Sequence, residues 1–440
     1  MERMAFELNP HGSKTDDGDG VRILEIRSAR HQFVVGFADK IQFSVGHGQF
    51  SQESDRSKVA SIMRRMVENK LLCNLQDGKV HEYRMTLCLQ KHYFKGFDIE
   101  PISNILGFTE SAHPNKALAR FMHESLGKSG VCDETGFADM LLPDDAGWSP
   151  ACYAAVDGDA AVLTSLLEHK ADPNERILNS SDTLSLFPPG TPLLTMAAFL
   201  SNAEAMTVLI NARADPNGQD GYRSEPLHWA AAADNVGGIR QLLAAGAKAD
   251  QANMLGASPF DMAAQFGCAG ATQELVAFVS QQEVGAGLHW AARHDHADAD
   301  TVWALIEAGA DVDQQLSMPL FSPLGLMFSY FAVKHRWHHS ILSNYAYHHE
   351  GATPLMCSIL NCNFQVAAAL VAGGAKLDLK NARGKTALEL AELMSVPDYL
   401  AKALQAHGSE YESLCRRTRS EASIAMSATK TNQSLDTFSI

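Results

Sequence analysis

The chain has 440 residues, 46% of them hydrophobic and 20% charged, and a formal net charge of −15 at pH 7. That is enough apolar material for a sizeable core and for more than one domain. The acidic excess falls almost wholly in residues 132–440, which argues against nucleic acid as a partner. The longest apolar stretch, Pro319 to Val333, holds two prolines and is too short to span a bilayer, so no transmembrane segment is expected.

Residues 1–20 are polar and acidic, unlike a secretory signal, and read as a disordered N-terminus. The eight cysteines form no CxxC pair, which fits reduced structural usage in a cytoplasmic protein, with the nucleus also open. Residues 21–130 read as a small α+β module. Strands are predicted at Val21–Arg27, Gln32–Phe37, Lys40–Val45 and Glu82–Gln90. An amphipathic helix is predicted over Asp55–Asn74, with Val59, Ile62, Met63, Met66, Val67 and Leu71 on one face, and a second over His113–Leu126. Neither Gly46-His47-Gly48 nor Gly127-Lys128-Ser129-Gly130 has the spacing of a phosphate-binding loop. A polar linker over 131–144 leads to the rest of the chain.

From about residue 145 a short pattern recurs: a Ser/Thr-Pro-Leu opener, an Ala-rich turn, a second helix ending in paired aliphatics, and a loop such as ADPN. The clearest copies are GWSPACYAAVDGDAAVLTSLLEHKADPNE from Gly147, TPLLTMAAFLSNAEAMTVLINARADPNGQ from Thr191 and SEPLHWAAAADNVGGIRQLLAAGAKADQ from Ser224. The opener positions Pro150, Pro192, Pro226, Pro259, Gly287, Pro323, Pro354 and Ala387 are separated by 42, 34, 33, 28, 36, 31 and 33 residues. In the sixth copy Ser322-Pro323-Leu324 keeps phase and Ile341-Leu342 stands where a second helix would end, so it reads as a degenerate repeat. Ser or Thr before Pro suits a helix start, and Ala pairs let neighbouring helices approach closely.

This pattern resembles the ankyrin repeat, whose period is about 33 residues. The resemblance implies a mainly helical solenoid of about eight repeats over 145–407, each unit packed on its neighbours. It also implies a protein partner, of unknown identity, held by the concave face and the fingers. The exposed positions after each Ala pair would then be Val156 and Asp157, Ala198 and Phe199, Ala232 and Ala233, and Arg293 and His294. The first finger is lengthened by Glu175–Gly190 and offers Leu184, Leu186 and Phe187, whereas the interval from Pro259 to Gly287 has lost its finger. Phe187 and Phe199 are the expected aromatic anchors of that surface.

Histidines crowd at His289, His294 and His296, at His335, His338 and His339, and at His348 and His349 beside Glu350. No HExxH motif occurs among them, and neither metal nor cofactor is expected. The resemblance implies that His228 and His289 hydrogen-bond to backbone between repeats. The other clusters remain the better metal or partner candidates. Residues 408–440 read as a disordered Ser/Thr-rich tail in which Arg416-Arg417-Thr418-Arg419 offers Ser420 to a basophilic kinase. The predicted role is a non-enzymatic interaction scaffold or adaptor. Two alternatives stay open: an enzyme whose N-terminal module is catalytic while the repeats select substrate, and an adaptor that recruits a kinase or ubiquitin ligase through its tail.

Overall fold

The computed structural model describes residues 24–28, 31–34, 53–103, 143–178, 187–293, 299–317, 323–335, 337, 341–394 and 396–405. The fold is mainly helical. It divides into two compact units, Met1–Ala230 with Arg240–Ala247, and Ala231–Ile239 with Lys248–Ile440.

In the first unit, β1 (Leu24–Ser28) and β2 (His31–Val34) pair antiparallel, with Leu24 opposite Val34 and Glu25 opposite Phe33. Helix α1 (Glu53–Gln76) follows. Its Val59, Met63, Val67 and Leu71 recur every fourth residue and pack with Tyr83, Phe94 and Ile102 in one cluster, while Ile62 faces outward. The predicted strand Glu82–Gln90 is instead part of helix α2 (Val80–Tyr93). The reason is burial on nearly all sides: Tyr83, Arg84, Met85, Thr86, Cys88, Leu89 and Gln90 are all covered. A helix covered all round loses its polar stripe, and what remains can be mistaken for alternation. The expected strand Lys40–Val45 and helix His113–Leu126 lie outside the described residues. What is described of 21–130 is a hairpin and a helix pair, and that pair belongs to the same compact unit as the first repeats, so a separate α+β domain gains no support.

Helix α2 packs on α1 and on α3 (Pro150–Asp157), the first helix of the first repeat. Ser149 caps α3 by accepting from the Cys152 amide, with Pro150 at the first helical position, and Asp159 caps α4 (Ala160–Glu168). Between them Gly158 has φ 79°, and a side chain there would meet Asn202 at 2.7 Å. Asn202 uses this gap to donate to the carbonyls of Ala155 and Val156. The second repeat supplies α5 (Leu193–Phe199) and α6 (Ala203–Asn211), which stack on α3 and α4 respectively. Ala154, Ala155, Ala197 and Ala198 are fully buried where first helices meet. The third pair is α7 (Pro226–Ala232) and α8 (Val236–Ala244).

The second unit contains α9 (Pro259–Gln265), α10 (Ala269–Leu275), a 3-10 turn (Val276–Phe278), α11 (Gln281–Arg293) and α12 (Ala299–Glu307). No finger separates α10 from α11; the chain passes through the 3-10 turn and re-enters helix at Gln281. Then come α13 (Pro323–Lys334), α14 (Ile341–His348), α15 (Pro354–Leu360), α16 (Phe364–Ala372), α17 (Ala387–Met394) and α18 (Asp398–Gln405). First helices pack in the order α9, α11, α15, α17 and second helices in the order α10, α12, α16, α18. The pair α13–α14 belongs to neither row. The fifth repeat docks directly on the one that begins at Pro354, and the expected sixth repeat is an insertion between them. Among the described residues the count of eight repeats therefore becomes seven. Phase misled here: Ile341 opens the second helix of the inserted pair where the repeat pattern requires a helix to end.

Candidate interaction surfaces

The first finger begins and ends on hydrogen bonds between its two sides. Ile177 donates its amide to Thr191, and Gly190 donates to Ile177. The guanidinium of Arg176 donates to the carbonyls of Gly190 and Gln219. Phe187 is 1% exposed, with its ring 6.3 Å from Trp148 and 5.9 Å from both Phe199 and Trp229. Phe199 meets Trp229 edge-on at 5.2 Å and is itself buried. Trp229 donates to Asp220, whose carboxylate also takes the amides of Tyr222 and Ser224. Burial pushes the Asp220 carboxyl above its ordinary range, while those bonds pull the other way.

Most of the anchors expected from the sequence are thereby corrected. Phe187, Phe199 and Val156 are core residues: all three are buried, and the Phe187 ring packs on Phe199 at the end of α5. Asp157 accepts from Lys91 through both its carboxylate and its carbonyl, so it fastens α2 to the first repeat. Leu184, Leu186, His294 and Ser420 lie outside the described residues. Among the described residues of these fingers, the exposed large hydrophobics are Leu178 and Tyr222.

A polar cluster joins α2 to the repeat below it. Arg84 donates to Asp144 at 2.7 Å, Tyr153 donates to the same carboxylate oxygen at 2.6 Å, and His81 Nδ1 lies 2.6 Å from the Tyr153 hydroxyl. The other Asp144 oxygen accepts the amides of Ala146 and Trp148. Burial, with the Asp144 charge, holds the Tyr153 phenol far above its ordinary pKa, so it stays a neutral donor. This is a fastening, with every polar partner engaged by another.

In the second unit, Arg293 is half-buried instead of being an open contact position. Its guanidinium lies 4.6 Å from the Trp290 ring centre, 5.4 Å from Phe328 and 5.8 Å from Tyr345. Phe328 comes from α13 and Tyr345 from α14, so Arg293 anchors the inserted pair to α11. Phe328, Tyr345 and Ala346 are buried on that inner side. The outer side is different. Leu326, Tyr330 and Val333 on α13, and Trp337 in the turn that follows, are 57%, 62%, 59% and 73% exposed. Their spacing of four, three and four residues puts them on one face. Met327 is exposed beside them. Sequence reasoning missed this face because PLFSPLGLMFSYFAV is apolar all round and reads as core; only its position inside a finger could have marked it.

The neck of this insertion is narrow. Leu316 donates to Ala352 and Gly351 donates to Leu316, while the Gln315 side chain bridges to the carbonyls of Gly351 and Lys380. His289 Nε2 lies 2.8 Å from the carbonyl of Gln314 and donates to it; burial drives its pKa down to about 4. Its other nitrogen faces Cys357 Sγ at 3.7 Å. Burial raises the Cys357 thiol to about 11 and that of Cys152 to about 12, so neither is a ready nucleophile. His348 and His349 have pKa values lowered mainly by burial, and His335 stacks on Tyr347. No group of three or more metal-binding side chains occurs among the described residues. None of the described helices is long and apolar enough to cross a membrane.

Residues 288–315 match the family model for the ankyrin repeat. The chain is similar to neurogenic locus notch homolog protein 1 of Xenopus tropicalis, 35% identical over 127 residues, covering 29% of this chain and 5% of that protein. It is 30% identical over 197 residues to human neurogenic locus notch homolog protein 2, covering 41% of this chain and 8% of the relative. It thus spans under a tenth of the length of these relatives. Among solved structures, the human ASB11 ankyrin repeat domain aligns with a TM-score of 0.43 at 22% identity, covering 60% of this chain and all of that one. The ankyrin repeat domain of Bcl-3 aligns at 0.39 and 17%, covering 62% of this chain and all of that one.

Proposed function

We propose, from the premise that the chain is an ankyrin-repeat protein, that it is a non-enzymatic interaction scaffold whose principal partner contact is the outer face of the inserted pair α13–α14. Ankyrin repeats are protein-interaction modules, and the stacked helices supply a rigid mount. The observation that carries the finer reading is the exposed row Leu326, Tyr330, Val333 and Trp337 on an element anchored from behind by Arg293. Exposed aromatics on a rigid support are the usual material of binding hot spots. The aromatics first expected to serve, Phe187 and Phe199, support the core instead.

The test is affinity capture with the full chain against Tyr330→Glu/Trp337→Glu, followed by binding measurements with purified partners. Loss of a partner with an unchanged thermal melt is the expected result. Retention of every partner by the double variant would move the contact elsewhere, with the finger residues Leu178 and Tyr222 next in line.

A further inference from the structure

The inserted pair differs from the rest of the chain in charge as well as in exposure. From Gln314 to His349 there is no Asp or Glu, although the chain has 51 of them, and the same stretch contains Lys334 and Arg336. Lys334 is exposed at the end of α13, beside Val333. An apolar row with a cationic end and no anion of its own selects a ligand that is apolar on one side and acidic on its flank.

We infer that the outer face of α13 receives an acidic amphipathic helix of a protein partner. This rests on the protein-binding reading above and names the chemistry of its partner. A helix offering apolar residues at i, i+4, i+7 and i+11 matches the length and spacing of Leu326, Tyr330, Val333 and Trp337. Acidic residues on its flank meet Lys334 without facing a like charge from residues 314–349. The acidic excess elsewhere in the chain is screened beyond about 8 Å at physiological salt, so it opposes a small local ligand weakly.

A second copy fits less well. Helix α13 has 12 residues and is therefore about 18 Å long, offering far less than the roughly 800 Å² per partner of a standard stable interface. Symmetric pairing of the two faces would also bring two copies of Lys334 into one small contact. An anionic bilayer is a broad plane, which a chain of net charge −15 would meet with repulsion over most of its surface.

The experiment uses the full chain and two short synthetic helical peptides with the same apolar face, one flanked by Glu and one by Lys, read by fluorescence anisotropy. Phosphatidylserine vesicles are the third probe. The Glu-flanked peptide is expected to bind at least about tenfold tighter than the Lys-flanked one and to weaken with added salt. Tyr330→Ala and Trp337→Ala should each reduce its binding by about tenfold or more, and Lys334→Glu should reduce it several-fold, all with unchanged thermal melts. Equal or tighter binding of the Lys-flanked peptide overturns the inference, as do vesicle binding that depends on Tyr330, binding indifferent to the variants, and an early melt of Tyr330→Ala. If neither peptide binds while captured proteins still depend on Tyr330 and Trp337, the acidic-helix assignment fails and the protein-binding reading stands. If no captured protein depends on them either, both fail.

Discussion

The first finger and the finger of the fifth repeat both gain chain at the same point of the repeat, between the second helix of one unit and the first helix of the next. In the first, Phe187 completes an aromatic cluster with Trp148, Phe199 and Trp229. In the fifth, the added residues form α13 and α14, which bury Phe328 and Tyr345 against α11 and leave Leu326, Tyr330, Val333 and Trp337 outside. Apolar content alone therefore does not mark a binding loop. An insertion can lay an apolar residue wholly on its host, as Phe187 does. A longer one satisfies its backbone internally and needs its host on one side only.

The largest effect that separates the two is truncation at the buried ring. Phe187→Ala should cost about 3–5 kcal/mol and lower the melting temperature sharply, whereas Tyr330→Ala should stay within about 0.5 kcal/mol of the parent. A normal melt for Phe187→Ala would erase the contrast. Next is Arg84→Ala, which leaves the Asp144 carboxylate without its cation against Tyr153; a loss of about 3 kcal/mol is expected in thermal or denaturant melts.

Acid should probe the neck of the fifth finger. His289, held near pKa 4, is neutral in both folded and unfolded chains above about pH 6.5. As the pH falls below that, the unfolded chain takes up a proton that the folded site refuses until about pH 4, so stability declines across this window. At about 1.4 kcal/mol per unit the full effect is on the order of 3 kcal/mol. Melts of the parent and of His289→Gln at pH 7, 5.5 and 4 check it, and the variant should show the shallower decline. A smaller loss is expected from excision. Replacing Ser317–Glu350 by a short turn should leave α11 on α15 and α12 on α16, with a melt lowered by a few degrees. Collapse of the second unit would show that the inserted pair is part of the stack's support.

The repeats were legible because each residue type acts on its immediate surroundings. Ser149 and Thr353 cap helices, Pro150 and Pro354 open them, and Ala154 and Ala197 permit close packing. The backbone bond of His289, made to Gln314, is what the family resemblance implied. What was not legible depended on contacts distant in sequence. Nothing near Phe199 shows that residue 187 returns to cover it. Nothing near Ser322 shows that α15 already occupies the place a sixth repeat would take. The outer face of α13 was hidden by its own uniformity, since a helix apolar on both sides gives no sign of which side finds a host.

The pairing of Leu316 with Gly351 and Ala352 brings the two ends of the inserted stretch together at hydrogen-bonding distance. A loop whose ends are already pinned pays for added length only logarithmically, about 0.6 kcal/mol for each doubling. Evolution can therefore lengthen, shorten or exchange what lies beyond the pin without re-registering the helices on either side. This joint is a natural graft point, where a new recognition element can be installed in an old framework in a single insertion event.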